Sequence, residues 1–140
     1  MNLNLNNCNN LSNITEEDVY QYIIDIVEII NKEKVDAYQI LDCLINIISS
    51  YSIGYYELYI QELTKIENWI LQVWNPFSLE MTEKITFIAL NLQLKKICNK
   101  IKMYIQNDSL PEDVLMELEE SIDEINKFKL CEDEIYLSKK

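Results

Sequence analysis

A chain of 140 residues with 12 lysines, 24 acids, no histidine and no arginine carries a formal charge of −12. That balance argues against direct nucleic-acid binding, because phosphates are themselves negative and are commonly gripped by guanidinium forks. With 49% hydrophobic residues the chain is too apolar for a disordered acidic tail, and one glycine with two prolines leaves too few turn formers for an all-β fold.

The expectation is therefore an all-α, single-domain bundle of about six helices with a buried central helix; a chain of this size buries roughly 68–70% of its unfolded surface. Residues 1–13 are Asn-rich without a positively charged start, so they read as a disordered leader rather than a signal peptide. The bundle is expected over residues 14–130, with a loosely ordered tail over 131–140.

The first helix opens at Thr15, where Thr15-Glu16-Glu17-Asp18 resembles a capping box and sets acids in the first turn. Val19, Tyr22, Ile23, Ile26, Val27 and Ile30 recur at helical spacing, with Glu17, Gln21, Asp25, Glu28 and Lys32 on the other face. A second helix starts at Asp36, with Gln39 placed to complete a box, and ends near Ser50–Gly54. The third, about Tyr55 to Trp74, carries Tyr59, Leu63, Ile66, Ile70 and Val73 in a stripe flanked by Trp69 and Trp74. Asn75-Pro76 stops it, since the residue before proline avoids helical angles.

Ser78 caps the fourth helix, whose apolar residues from Ile85 to Leu94 point in nearly every direction, as in the middle of a bundle. The apolar faces before and after Leu92 lie on opposite sides, which predicts a break near Asn91–Gln93 and a fifth helix along Leu94, Ile97, Ile101 and Tyr104. The last helix is capped by Ser109, with Pro111 in its first turn and a seam of Leu115, Leu118, Ile122 and Ile125. Asp113, Glu117, Glu120 and Glu124 stand opposite that seam.

Charge is distributed unevenly. Residues 84–105 hold five lysines and no acid, whereas residues 108–134 hold eleven acids and two lysines. In one account the lysine segment packs beside the acidic stripe and the bundle neutralises itself. In the other, Asp113, Glu117, Glu120 and Glu124 form a partner-binding face that steers a basic protein onto the domain.

Much chemistry is missing. Without histidine there is no Ser-His-Asp or Cys-His arrangement and no Glu-x-x-His di-iron pair. A single glycine makes no phosphate-cradling loop. Cys8, Cys43, Cys98 and Cys131 lack metal-ligand spacing and read as reduced thiols in a cytoplasmic protein. No apolar run is long enough to span a membrane. The expectation is a non-catalytic binding protein with no cofactor, no metal site and no bound nucleic acid or membrane.

The stretch Trp69-Ile-Leu-Gln-Val-Trp74, then Ser78-Leu-Glu-Met-Thr-Glu83-Lys-Ile-Thr-Phe-Ile and Asn91-Leu-Gln-Leu94, resembles small helical immunity proteins of bacterial polymorphic-toxin systems. The resemblance covers about a third of the chain and matches no signature residue one for one. It implies a cytoplasmic protein that neutralises one cognate toxin, often a basic nuclease plugged by acidic side chains. Length, helix number and composition also resemble the Bcl-2-like virulence proteins of poxviruses, which bind host apoptotic or innate-signalling proteins. The glycine-containing signature of their grooves has only Gly54 to draw on here. A phage-encoded inhibitor that mimics DNA charge is a third possibility.

Overall fold

The computed structural model describes residues 14–32, 35–50, 60–107 and 109–131. All regular structure among them is helical: α1 (Glu16–Lys32), α2 (Ala37–Ser50), α3 (Ile60–Val73), α4 (Leu79–Leu92), α5 (Lys95–Ile105) and α6 (Glu112–Phe128). Among the described residues the expectation of an all-α chain of about six helices is met. The leader at 1–13, the turn at Gly54, the start of the third helix with Tyr59, and the tail beyond Cys131 lie outside the described residues. The chain divides into two compact units between Val73 and Trp74, so that α1–α3 belong to one and α4–α6 to the other.

In the first unit, α1 begins as a reciprocal box. The Asp18 amide donates to Thr15 Oγ1 at 3.2 Å, and the Thr15 amide donates to Asp18 Oδ2 at 3.0 Å. Two of the amides orphaned at a helix start are thereby satisfied. Asp36 caps α2 more simply, accepting the Tyr38 amide at 2.9 Å, while the exposed Gln39 side chain closes no box. Val19, Ile26, Ile40, Leu41, Ile47, Ile66 and Ile70 are all fully buried. Burying each such side chain contributes about 1.5–3 kcal/mol. α1 packs on α3.

One residue departs from the periodic reading of α1. Asp25, expected on the polar face, is only 6% exposed, and Gln21 Nε2 donates to its Oδ1 at 2.9 Å. Glu67 of α3 is buried as well, at 7%. A carboxylate tolerates burial when hydrogen bonds replace its water, which a count of apolar spacings does not register.

In the second unit, Ser78 caps α4 by accepting the Met81 amide at 3.1 Å. The break expected at Asn91–Gln93 falls at Gln93, which adopts left-handed angles (φ 54°), and the Gln93 and Leu94 amides both return to the Ala89 carbonyl. This is the Schellman-type closure that glycine usually supplies. Leu94, Ile97 and Ile101 are then buried on α5 as predicted.

α4 is less enclosed than its composition suggests. Ile85, Ile88, Ala89 and Leu92 are buried, but Glu80, Glu83, Phe87 and Asn91 form an exposed face. Thr82 and Thr86 take interior positions because their hydroxyls find partners, and Phe87 turns outward instead. α6 packs against both α4 and α5.

α6 also differs from its predicted start and seam. Pro111 occupies the N-cap position with no side-chain cap, so Ser109 lies outside the helix, its amide donating to Asn107 Oδ1 at 2.9 Å. The buried positions are Val114, Leu118, Ser121 and Ile125, whereas Leu115 and Ile122 are half-buried. The seam is thus turned toward the side that carries Glu117. Ser121 is accommodated because its hydroxyl donates to the Glu117 carbonyl at 3.0 Å.

Past α6, Lys129 is left-handed (φ 55°) and closes the helix with its amide on the Ile125 carbonyl. Cys131, expected to begin a loose tail, is fastened. It is disulfide-bonded to Cys98 of α5, and its amide donates to Gln93 Oε1 at 3.2 Å. The pairing corrects the reading of Cys98 and Cys131 as reduced thiols, and Cys43 of α2, read in the same way, is disulfide-bonded as well. Thirty-three residues separate the two, and only packing of α6 on α5 brings them together.

Candidate functional site: an acidic face on α6

Asp113, Glu120 and Glu124 are exposed along α6 at steps of seven and four, on the water-facing side as expected. Glu117 is not fully with them. It is half-buried at the border with α4, where Thr86 Oγ1 donates to its Oε2 at 2.7 Å. The rotated seam produces this position, because Glu117 precedes Leu118 and sits one turn from both Val114 and Ser121.

The electrostatics follow from that placement. Burial pushes the Glu117 carboxyl above the usual carboxylate range, the Thr86 hydrogen bond pulls it back, and repulsion from Glu83, Glu120 and Glu124 raises it further. Glu83 belongs to α4 and was not among the predicted face residues. Its membership becomes visible only once α4 lies against α6. The signal available in the sequence was that Glu83 falls one turn before Thr86, on the exposed face with Phe87.

Met116 stands among these acids, 54% exposed, one turn from Asp113 and one turn from Glu120. The α6 surface therefore offers an apolar spot inside an acidic surround. Lys84 forms a salt bridge with Glu80 within α4, at 4.0 Å. The Lys100 ammonium lies over the Tyr104 ring, 5.3 Å from its centroid.

Beyond this face, Glu16, Glu17, Tyr20 and Gln21 line a surface depression at the start of α1. Among the described residues no group of cysteines and acids is arranged to hold a metal ion. No described helix is long and apolar enough to cross a membrane. No protein-family model, no curated protein and no solved structure matches this chain.

Proposed function

We propose that this chain is a non-catalytic acidic binding protein that receives a basic protein partner on the α6 face, most concretely an immunity protein that neutralises a cognate basic toxin or nuclease. One observation carries the reading. Glu83 of α4 and Glu120 and Glu124 of α6 lie close enough to Glu117 for their charges to add to the burial that raises its carboxyl, so acids from two helices gather on one face. A cationic side chain arriving there relieves the repulsion, and the field draws it in from a distance. Met116 adds the apolar centre that a polar-rimmed interface uses.

The proposal sets the protein in the cytoplasm. The Cys98–Cys131 disulfide pulls the other way, because cytosolic thiol pools keep most such pairs reduced. The redox state of the protein taken directly from cells decides between them.

A second reading has its own support. Phe87 on α4, Met103 on α5, and Met116 and Phe128 on α6 are exposed, which suits a partner held through an apolar face, as in a Bcl-2-like inhibitor. A DNA-mimic inhibitor would use the same acids against a nucleic-acid-binding target.

The test is co-expression with the products of adjacent genes, using the wild type and a triple variant with Glu117→Lys, Glu120→Lys and Glu124→Lys. A basic partner that co-purifies with the wild type and is lost from the triple variant, at unchanged helical circular dichroism, supports the acidic face. Its association should also slow steeply as salt rises. Retention by the triple variant moves the interface to the apolar surface.

A further inference from the structure

The Thr86 hydroxyl sits between two acceptors. Oγ1 is 2.7 Å from Glu117 Oε2 on α6 and 3.1 Å from the Glu83 carbonyl oxygen on its own helix. A hydroxyl has one proton to donate and lone pairs to accept with. While Glu117 is ionised, both neighbours are acceptors, and the single proton serves one of them at a time. Thr86 is 2% exposed, so bulk water has little access to make up the difference. A proton on Glu117 completes the count: its O–H donates to Oγ1, and the Thr86 O–H donates onward to the Glu83 carbonyl.

We propose that Glu83, Thr86 and Glu117 form a proton-operated latch between α4 and α6, in which proton uptake by Glu117 turns the Thr86 hydroxyl from the Glu117 carboxylate to the Glu83 carbonyl. No bond to carbon is made or broken; one proton enters from solvent and one hydroxyl rotates. The latch is a property of the folded chain and stands whatever binds the face.

Burial is the main reason the Glu117 carboxyl is raised, and the surrounding acids add to it. From α4 comes Glu83, and from α6 come Glu120 and Glu124, all of the same sign as ionised Glu117. From α5, the third helix of the unit, come Lys95, Lys96, Lys100 and Lys102, of the opposite sign. Burial acts in the same direction as the acids, and the Thr86 hydrogen bond to the ionised form opposes them. Ser121, one turn on, donates to the Glu117 backbone carbonyl.

The experiment is a carbon-detected NMR titration of the uniformly labelled full chain, following the glutamate side-chain carboxyl carbons and the Thr86 methyl. The Glu117 resonance is assigned in the wild type by through-bond correlation to its own backbone amide. The Glu117 midpoint should lie above that of glutamate in the urea-unfolded chain, and the Thr86 methyl should move with the Glu117 midpoint. In Glu117→Gln the Thr86 methyl should stop titrating and rest near its low-pH position. Thr86→Val should raise the Glu117 midpoint further, since the carboxylate loses its donor; Thr86→Ser, which keeps the hydroxyl, should restore it. A Glu117 midpoint no higher than that of glutamate in the unfolded chain overturns the latch, and so does a Thr86 methyl that stays still through the Glu117 transition. Both readings come from the wild type, so they stand even where a variant fails to fold.

Discussion

The indole N–H of Trp74 donates to Thr82 Oγ1 at 3.2 Å, linking the residue after α3 to the first turns of α4 across the Asn75-Pro76 corner. Thr82 is fully buried and Trp74 is 6% exposed, so neither group has water as a ready substitute. The Trp74 ring also meets Tyr104 of α5 edge to face, with centroids 4.9 Å apart and planes at 87°. Thr82→Val keeps the shape and removes the acceptor. It should cost about 1–3 kcal/mol, the range for an orphaned buried donor, while Thr82→Ser should retain most of the stability. Urea unfolding followed by tryptophan fluorescence measures both, and a neutral Thr82→Val would show the hydrogen bond to be dispensable.

Leu118 and Met116 stand two positions apart on α6 and make opposite predictions. Leu118 is fully buried in the seam, so Leu118→Ala should destabilise by about 2–5 kcal/mol through lost contacts and a residual cavity. Met116 is 54% exposed, and Met116→Ala should stay within about 0.5 kcal/mol. Chemical denaturation of the two variants side by side tests which face α6 buries, because the reverse order of effects would place α6 on a different face.

Ser78 supplies the side-chain cap of α4 through the Met81 amide. Ser78→Ala should therefore cost about 1 kcal/mol, and Ser78→Asp should be close to neutral, since aspartate accepts the same bond and suits the helix dipole. A thermal melt resolves the difference; equal losses in both variants would assign Ser78 a role other than capping.

The Glu117 carboxyl is raised in the folded state by burial and by its acidic neighbours. The folded chain therefore holds this proton to higher pH than the unfolded chain does. Its contribution favours folding below the unfolded glutamate value and declines as pH rises through the folded one. Glu117→Gln should remove that decline, leaving the variant more stable than wild type at neutral pH by less than about 1 kcal/mol, as expected for a solvent-screened site. The gap should close on acidification and shrink in high salt. Denaturation midpoints across pH measure it, and a variant less stable than wild type at neutral pH would reverse the assignment.

The Cys98–Cys131 bond closes a loop over a sequence separation of 33. Removing such a cross-link costs about 3–4 kcal/mol in the loop-entropy picture, so Cys131→Ser should lower the denaturation midpoint of the oxidised protein. Peptide mapping without reductant should recover the Cys98 and Cys131 peptides joined. Recovery of the two as separate free thiols would remove the cross-link from this account.

Much of the local structure was legible beforehand because its causes are local. Thr15 with Asp18, Asp36 with the Tyr38 amide, Ser78 with the Met81 amide, and the break at Gln93 each join residues within a few positions of one another. The start of α6 misled, since Ser109 is a good capping residue by type, yet the helix begins behind Pro111 and the Ser109 amide is engaged by Asn107.

Burial of polar side chains was the part that periodicity missed. Asp25, Glu67, Thr82, Thr86 and Ser121 all lie inside. A pattern of apolar spacings assigns such residues to water, because it weighs transfer cost without knowing which hydrogen bonds await them. Once Thr86 and Ser121 could be buried, the α6 seam moved toward Val114 and carried Glu117 to the border.

Composition and spacing by themselves determined the helical class, the helix number, the large acidic excess and the absence of imidazole, since these depend on residue types and on contacts a turn or two away. Only the tertiary structure decided that Glu83 joins Glu117, Glu120 and Glu124, that Cys98 meets Cys131, and that Thr86 faces a carboxylate 31 positions along the chain. Those pairings are set by how α4, α5 and α6 pack on one another, and that depends on the fit of whole faces, which one-dimensional spacing does not contain.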